Sequence, residues 1–118
     1  MEELNLRNYA YLGDAVWELF VREITILRTQ NAKELHLITT EKVKASFQNE
    51  ILLRIYDVLT EEEQEILRRS RNLPVPVGRR SNQSEYRMAT AFEVLIGWWY
   101  KNNSARLEEI ERILEKFL

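Results

Sequence analysis

Apolar residues recur every three or four positions along most of the chain, which is the spacing of one buried face of an α-helix. The first run of this kind extends from about Tyr9 to Leu27 and includes Leu12, Ala15, Val16, Leu19, Phe20 and Ile24. The later runs include Leu35 and Ile38; Val43, Phe47, Ile51 and Ile55; Ile66 and Leu67; Met88, Phe92, Leu95, Ile96 and Trp99; and Leu107, Ile110, Leu114 and Phe117. The pattern predicts an all-α fold.

Polar residues that cap helices stand in front of these runs. Asn31 precedes Glu34, and Thr60 precedes Glu63, by the three residues that separate an N-cap from its partner. The other expected N-caps are Thr40, Ser84 and Ser104. Residues 71–83 contain both prolines and one of the three glycines, so we expect a partly extended loop there.

Length and composition point to one domain in a reducing compartment. The 118 residues suffice for one core, and we expect a single domain over residues 1–118. The chain has no cysteine, which excludes disulfides, thiolate zinc sites and thiol nucleophiles and suits the cytoplasm. No apolar run approaches the roughly 20 residues that span a bilayer, and the acidic start, Met1-Glu2-Glu3, is unlike a signal peptide. We expect a cytoplasmic protein without a membrane partner.

Charge is distributed unevenly along the chain. The formal net charge is −2, which by itself argues against a nucleic-acid partner. The segment from Arg68 to Arg87, however, contains six arginines and one acid, which gives +5, whereas the other 11 basic and 18 acidic residues give −7. This basic segment is therefore a solvated loop, a site for an acidic partner, or a site for a phosphate backbone.

Two acids stand alone among apolar neighbours. Asp14 lies in the stretch Tyr11-Leu12-Gly13-Asp14-Ala15-Val16-Trp17, and Glu93 lies in Ala91-Phe92-Glu93-Val94-Leu95-Ile96-Gly97. A buried carboxylate without a partner is costly, so we expect a cation, a metal ion or a hydrogen-bond donor beside each. Taken singly, each acid is best explained as structural, bonded to backbone or paired with an arginine.

The glycines near these acids favour a shared site. Gly13 and Gly97 each lie within four residues of an acid, inside helices where glycine costs about 1 kcal/mol relative to alanine. Glycines at such positions often allow another helix to pack closely, which would bring Asp14 and Glu93 together. Two carboxylates in one site repel each other unless a divalent cation lies between them.

Both acidic stretches resemble the signature segments of the ribonuclease III catalytic domain. The matching residues are Leu12-Gly13-Asp14-Ala15-Val16 and Phe92-Glu93-Val94-Leu95-Ile96-Gly97. Arg71-Asn72 and the run from Tyr86 to Glu93, together with the short length and the lack of a double-stranded-RNA-binding domain, resemble Mini-ribonuclease III, a compact bacterial branch of that family. The resemblance extends from about Tyr9 to Trp99 and continues more weakly to the C-terminus.

The resemblance implies the ribonuclease III catalytic fold and a Mg²⁺-dependent endonuclease that cleaves double-stranded RNA; in the Mini-ribonuclease III branch this RNA is the precursor of large-subunit (23S) ribosomal RNA. It implies Asp14 and Glu93 as the catalytic and metal-binding acids. Ala10 and Thr90 occupy the positions of two further metal-site acids of the wider family, so the number of metal ions stays open. Glu18, one turn after Asp14, is either an outer member of the site or a surface acid.

The same resemblance gives the basic segment a role, because A-form RNA is bound largely through its phosphates and 2′-hydroxyls. The expected RNA-binding residues are Arg68, Arg69, Arg71, Arg79 and Arg80. Arg87 is expected either to join them or to pair with an acid. A two-fold homodimer is implied as well, in which each protomer cuts one strand, and a large-subunit ribosomal protein is a further candidate partner.

Two alternatives stay open from the sequence. Ala10 and Thr90 at the family's acid positions allow a catalytically silent module of the same fold that binds RNA or the ribosome. If the motif match were accidental, the aromatic group Phe92, Trp98, Trp99 and Tyr100 would favour a helical interaction protein. His36, the one histidine, lies in no nucleophile or metal-ligand motif and is interpreted as structural or as a minor RNA contact.

Overall fold

The computed structural model describes residues 5–75 and 83–118, and within these ranges the chain is helical, without a strand. The helices are α1 (Leu6–Thr25), α2 (Ala32–Val43), α3 (Ala45–Ile55), α4 (Glu61–Arg71), α5 (Gln83–Asn102) and α6 (Ser104–Glu115), with a 3₁₀ turn at Tyr56–Val58. The all-α prediction is confirmed. No helix in the described ranges is long and apolar enough to cross a membrane.

Helix α5 is the centre of the fold. It packs against α1, α3, α4 and α6, while α2 packs against α1. A helix that is enclosed on several sides must be apolar on several sides, and the buried residues of α5 are Ala89, Ala91, Phe92, Val94, Leu95, Ile96, Gly97 and Trp99. The element that carries Glu93 is therefore held in place by four neighbouring helices.

Two of the expected helix caps are present. The side chain of Asn31 accepts a hydrogen bond from the backbone N–H of Glu34 at 2.9 Å and begins α2. Thr60 and Glu63 form a reciprocal capping box at the start of α4, with hydrogen bonds of 3.1 Å and 2.8 Å. These side chains satisfy backbone N–H groups that have no partner within the helix.

The other three expected caps are wrong. Thr40 lies inside α2, where its hydroxyl donates to the carbonyl of His36 at 2.8 Å, and Ser84 is the second residue of α5. Asn103 caps α6 in place of Ser104, because its side chain accepts from the N–H of Arg106 at 3.1 Å. A serine or threonine hydroxyl can also bond back to the preceding turn, so residue type alone does not place a helix start.

The packed face of α2 is more polar than expected. Leu35 and Ile38 are only half-buried, whereas the buried residue of α2 is Thr39. Its hydroxyl forms a 2.9 Å hydrogen bond with the hydroxyl of Thr25, which is the last residue of α1. A paired set of hydroxyls can be buried where a single one would be costly.

Glu63 forms a buried polar link between three helices. The residue is 4% exposed and accepts hydrogen bonds from the Thr60 backbone N–H and the Trp99 indole N–H, both at 2.8 Å. The Arg106 guanidinium donates two more, each at 2.9 Å, and also donates to the carbonyl of Val58 at 2.6 Å. The carboxylate thereby ties α4 to α5 and α6.

We predict that Glu63→Gln lowers the free energy of unfolding by about 2 kcal/mol, because Arg106 then keeps its charge in a largely buried position without its main counter-ion. Urea unfolding monitored by circular dichroism measures this change. Glu62→Gln, on an exposed position of the same helix, is the matched control and should change stability by no more than about 0.5 kcal/mol. Equal effects of the two substitutions would contradict the structural role of Glu63.

The Glu63 carboxylate also makes the stability of the fold depend on pH. Burial alone would raise the pKa of Glu63, but hydrogen bonds from Arg106, Thr60 and Trp99 outweigh it and hold the pKa below its ordinary value of 4.5. A carboxyl with a lowered pKa in the folded state stabilises the fold above its unfolded-state pKa and loses that contribution as pH falls through the folded-state value. The stability difference between the natural chain and Glu63→Gln should therefore shrink on acidification below about pH 4.5.

Candidate functional site

Helices α1 and α5 approach each other closely at two glycines. A Cβ atom on Gly13 would overlap the backbone carbonyl of Glu93, and a Cβ atom on Gly97 would overlap the backbone carbonyl of Tyr9. Neither glycine has a positive φ, so the requirement at both positions is space. The sequence prediction that these glycines allow close helix packing is confirmed.

An aromatic contact fixes how the two helices are rotated at this crossing. Trp17 of α1 meets Phe92 of α5 edge to face, with ring centroids 4.9 Å apart and an interplanar angle of 87°. Both side chains are fully buried, and the Trp17 indole N–H donates to the carbonyl of Lys42 at 3.0 Å. Because Trp17 lies three residues after Asp14, and Phe92 directly precedes Glu93, this pair sets the direction of both acidic positions.

The carboxyl groups of Asp14 and Glu93 lie within hydrogen-bonding distance of each other. Their surroundings differ from the expectation that both are buried, because Glu93 is half-buried and Asp14 is exposed. The structural explanation of Glu93, a partnership with backbone or an arginine, does not hold within the described residues, where its hydrogen-bond partners are Asp14 and Gln48. The crossing of α1 and α5 therefore creates a two-carboxyl site that is open on the Asp14 side.

Gln48 is a member of the site that sequence reasoning missed. Its side chain, 2% exposed on α3, donates an amide hydrogen bond to Oε2 of Glu93 at 3.2 Å. Gln48 directly follows Phe47 in the predicted apolar face of α3, and the periodicity gave no sign that it points inward. A polar residue next to an apolar face is a weak signal, and only the packing of α3 on α5 shows its partner.

The pKa of Glu93 is strongly raised. Burial, followed by the hydrogen bond and the negative charge of Asp14, raises this pKa to about 8, while the hydrogen bond from Gln48 acts in the opposite direction. Near neutral pH the Glu93 carboxyl group therefore favours its protonated form. A glutamate whose pKa is displaced this far by burial and by a neighbouring carboxyl group is characteristic of a functional site.

The site offers oxygen ligands only. Among residues 5–75 and 83–118 there is no cluster of three or more histidine, cysteine, aspartate or glutamate side chains that could hold a metal ion. Ala10 and Thr90, at the positions of the additional family acids, contribute no carboxylate. Glu18 forms an ion pair with Arg22 at 3.5 Å in which both side chains are partly exposed, which favours its interpretation as a surface acid.

The expected RNA-binding arginines lie in two places. Arg68, Arg69 and Arg71 are exposed in the last turn of α4, and Arg68 also pairs with Glu65 at 2.6 Å. Arg79 and Arg80 lie outside the residues that the structure describes. Arg87 on α5 donates to the carbonyls of Arg71 and Leu73 at 2.8 Å and 3.1 Å, so its partners are backbone groups rather than an acid.

Comparison with known protein families gives one domain match. A profile described as the ribonuclease III domain matches residues 7–104, a range that includes both acidic segments and the whole of α5. The two motifs are therefore not an accidental match, and the interpretation as an unrelated helical interaction protein is excluded.

Relatives and a solved structure are similar over nearly the whole chain. A protein from Gloeobacter violaceus named Mini-ribonuclease 3 is 40% identical, with 99% of this chain and 87% of the relative covered. Proteins of the same name from a Thermoanaerobacter species and Clostridium tetani are 40% and 36% identical, over 90% and 97% of this chain and 75% and 78% of theirs. A crystal structure of a Fusobacterium nucleatum protein has a TM-score of 0.84 at 30% identity and covers 99% of this chain and 97% of that chain.

We predict that Gly13→Ala lowers the free energy of unfolding by about 2 kcal/mol, because the added methyl group collides with the Glu93 carbonyl. The expected sign is informative, since glycine to alanine inside an ordinary helix stabilises by about 1 kcal/mol. Ala15→Gly, on an exposed position of the same helix, is the control and should show only the ordinary propensity cost. Urea unfolding measures both, and a more stable Gly13→Ala variant would refute the close approach.

Proposed function

Because this chain belongs to the ribonuclease III family, we propose that it cleaves double-stranded RNA at the site formed by Asp14 and Glu93. Family membership makes the chain an endoribonuclease; the duplex substrate and the roles of individual residues are the proposal. The observation that carries it is the contact between the two carboxyl groups at the crossing of α1 and α5. These are the only two acids of this chain that match the family's metal-site positions.

The residues at this site fit a hard divalent cation. The facing carboxyl groups repel when both are ionised, and the described residues place no cationic side chain in an ion pair with Glu93. Mg²⁺ prefers oxygen ligands and is commonly held by one or two carboxylates, with water completing its coordination. Asp14 and Glu93 are the residues that would hold it. With Mg²⁺ bound, the site gains a Lewis acid that polarises a phosphoryl oxygen.

The chain's own side chains divide the remaining work. Glu93 is half-buried, and the Gln48 amide holds its carboxyl group in one orientation, so it forms the inner, fixed side of the site. Asp14 is exposed, so it faces the side from which a phosphodiester approaches. The Trp17–Phe92 contact beneath them holds both acids at one separation, and such preorganisation avoids reorganisation cost during reaction.

The arginines of α4 are the proposed RNA contacts within the described residues. Arg68, Arg69 and Arg71 are exposed and clustered in one helical turn, where a duplex backbone can meet several guanidinium groups at once. Arg79 and Arg80 follow in the same basic segment of the sequence and are proposed as further phosphate contacts. Shape-based binding of this kind suits A-form RNA, whose minor groove presents phosphates and 2′-hydroxyls.

We also propose a two-fold homodimer, as is usual for ribonuclease III proteins. Tyr11, three residues before Asp14 on α1, is 85% exposed. A large aromatic side chain so exposed beside a site is suited to burial against a second copy of the chain. Two protomers related by a two-fold axis would place one carboxyl pair near each strand of a duplex and double the number of basic segments.

The proposed natural substrate is the precursor of large-subunit (23S) ribosomal RNA. The support is the resemblance to Mini-ribonuclease III, a name that the curated relatives also bear. We propose that cleavage takes place in the cytoplasm, which a chain without cysteine suits, and that a large-subunit ribosomal protein assists substrate recognition. Comparing the cleavage of a 23S precursor transcript with that of an unrelated duplex RNA of the same length separates this substrate from duplex RNA in general.

We predict that Asp14→Asn reduces the cleavage of duplex RNA in Mg²⁺ on the order of 10³-fold, since a neutral amide cannot replace an anionic oxygen ligand. Asp57→Asn, in the exposed 3₁₀ turn, is the matched control and should cut at the natural rate. The assay follows end-labelled RNA on denaturing gels, with a reaction that lacks metal. An Asp14→Asn variant that cuts as fast as the natural chain, or a natural chain that does not cut, would overturn the proposal.

We predict that the chain has twice its monomer mass by light scattering at micromolar concentration, and that Tyr11→Glu shifts it to the monomer. In the proposed dimer the new carboxylate at position 11 would be buried at the interface without a counter-ion. The free-energy cost of burying it would exceed what the contact contributes to association. Tyr100→Glu, at a 53% exposed position of α5, is the control and should leave the mass unchanged. A monomeric natural chain would contradict the dimer.

A further inference from the structure

Two arginines outside the carboxyl pair meet the same short stretch of backbone. Arg87 of α5 donates from Nη1 to the carbonyls of Arg71 and Leu73, at 2.8 Å and 3.1 Å. Arg7 of α1 donates from Nη2 to the carbonyl of Pro74, at 2.6 Å. Residues 71–74 lead out of α4 and begin the stretch between the α4 arginines and the rest of the basic segment, so this stretch is held from both α1 and α5.

The two helices that supply these arginines are the same two that supply the carboxyl pair. Arg7 precedes Asp14 by seven residues on α1, and Arg87 precedes Glu93 by six on α5, which corresponds to about 10 Å along each axis at 1.5 Å per residue. The position of the backbone after α4 relative to both acids is consequently set by α1 and α5 themselves, because no loop lies between each arginine and the acid on the same helix.

The junction is closely packed. The side chains of Arg7, Leu73, Pro74, Arg87 and Thr90 lie next to one another at this junction. The carbonyls of Arg71 and Leu73 lie at the C-terminal end of α4, where carbonyl groups lack helical partners and favour cations. The arginine side chains therefore donate hydrogen bonds to carbonyl groups at and just after this helix end.

We propose that Arg7 and Arg87 act as a clamp, that is, as positioning residues that hold the α4 arginines and the start of the basic segment at a fixed place relative to Asp14 and Glu93. This rests on the proposed RNA cleavage. Through the clamp, the RNA backbone bound by Arg68 and Arg71 is presented to the carboxyl pair in one register. The competing role is direct phosphate contact, since a guanidinium has five N–H donors and these two have donors left over.

The test compares Arg87→Met, which keeps the apolar stem but removes the donors, with Arg87→Lys, which keeps the charge but loses the planar fork. Arg71→Ala serves as a phosphate-contact comparison, and Arg112→Ala, at an exposed position of α6, as a charge control. All variants are first checked for unchanged circular dichroism. Three measurements follow: amide hydrogen exchange within residues 72–75 of the free protein, where Asn72, Leu73 and Val75 carry amide hydrogens, the salt dependence of RNA binding, and the single-turnover cleavage rate at saturating RNA.

For a clamp, both Arg87 variants should exchange at least about tenfold faster at residues 72–75, because the carbonyls of that stretch lose their anchor. The cleavage rate at saturating RNA should fall by about tenfold or more through misplacement, while the slope of log binding constant against log salt stays that of the natural chain. Arg71→Ala should instead reduce that slope by about 1. If Arg87→Lys also cleaves slowly at saturating RNA, the planar guanidinium group is required and a positive charge alone is not sufficient.

Two results would overturn the clamp. Unchanged exchange at residues 72–75 in Arg87→Met shows that no clamp exists, whatever the protein does to RNA. A salt slope reduced by about 1, with an unchanged cleavage rate at saturation, assigns Arg87 to phosphate contact. A natural chain that neither binds nor cuts duplex RNA contradicts the proposed function, and with it the presentation of RNA by the clamp, while faster exchange in the variant still reports the anchor itself.

Discussion

The contact between α1 and α5 at Gly13 and Gly97 determines everything else at the candidate site. At this point each helix packs against the main chain of the other, so their separation is set by backbone atoms. The Trp17–Phe92 contact next to it removes the remaining rotational freedom. Asp14 and Glu93 then face each other as a consequence of helix geometry, before any interaction between their own side chains is considered.

Glu63 and Glu93 show how surroundings decide what a carboxyl group does. Glu63 accepts hydrogen bonds from a backbone N–H, an indole and a guanidinium, which lower its pKa and make its ionised form part of the structure. Glu93 has one amide donor and an acidic neighbour, and its pKa is raised. The first is a completed network, whereas among the described residues the second has no cationic side chain as a partner and faces another carboxyl group, an arrangement that suits a bound cation.

The sequence predicted the helices and the meeting of the two acids well, because both depend on local patterns. Apolar spacing predicted the helices, although its buried face for α1 is wrong, because Leu19 is exposed and Trp17 is buried. The pairing of each acid with a nearby glycine indicated that Asp14 and Glu93 approach each other. The sequence did not predict Gln48, the Trp99 and Arg106 bonds of Glu63, or the contacts of Arg7, because each joins residues far apart in the chain and no periodic pattern marks them. The predictions of Thr40 and Ser104 as N-caps were wrong for a different reason. Cap-forming residue types stand at several neighbouring positions there, so the local pattern does not show which residue begins the helix.

The glycine contact also limits how this protein can change over evolutionary time. Most overpacked positions can be relieved by a second substitution that shrinks a neighbouring side chain. Here the obstructing atoms are the carbonyls of Glu93 and Tyr9, which every amino acid carries, so no neighbouring replacement can make room for a side chain. Surface residues of α1–α6 can therefore change widely during evolution. Gly13 and Gly97 cannot, because no second substitution compensates for a side chain at either position.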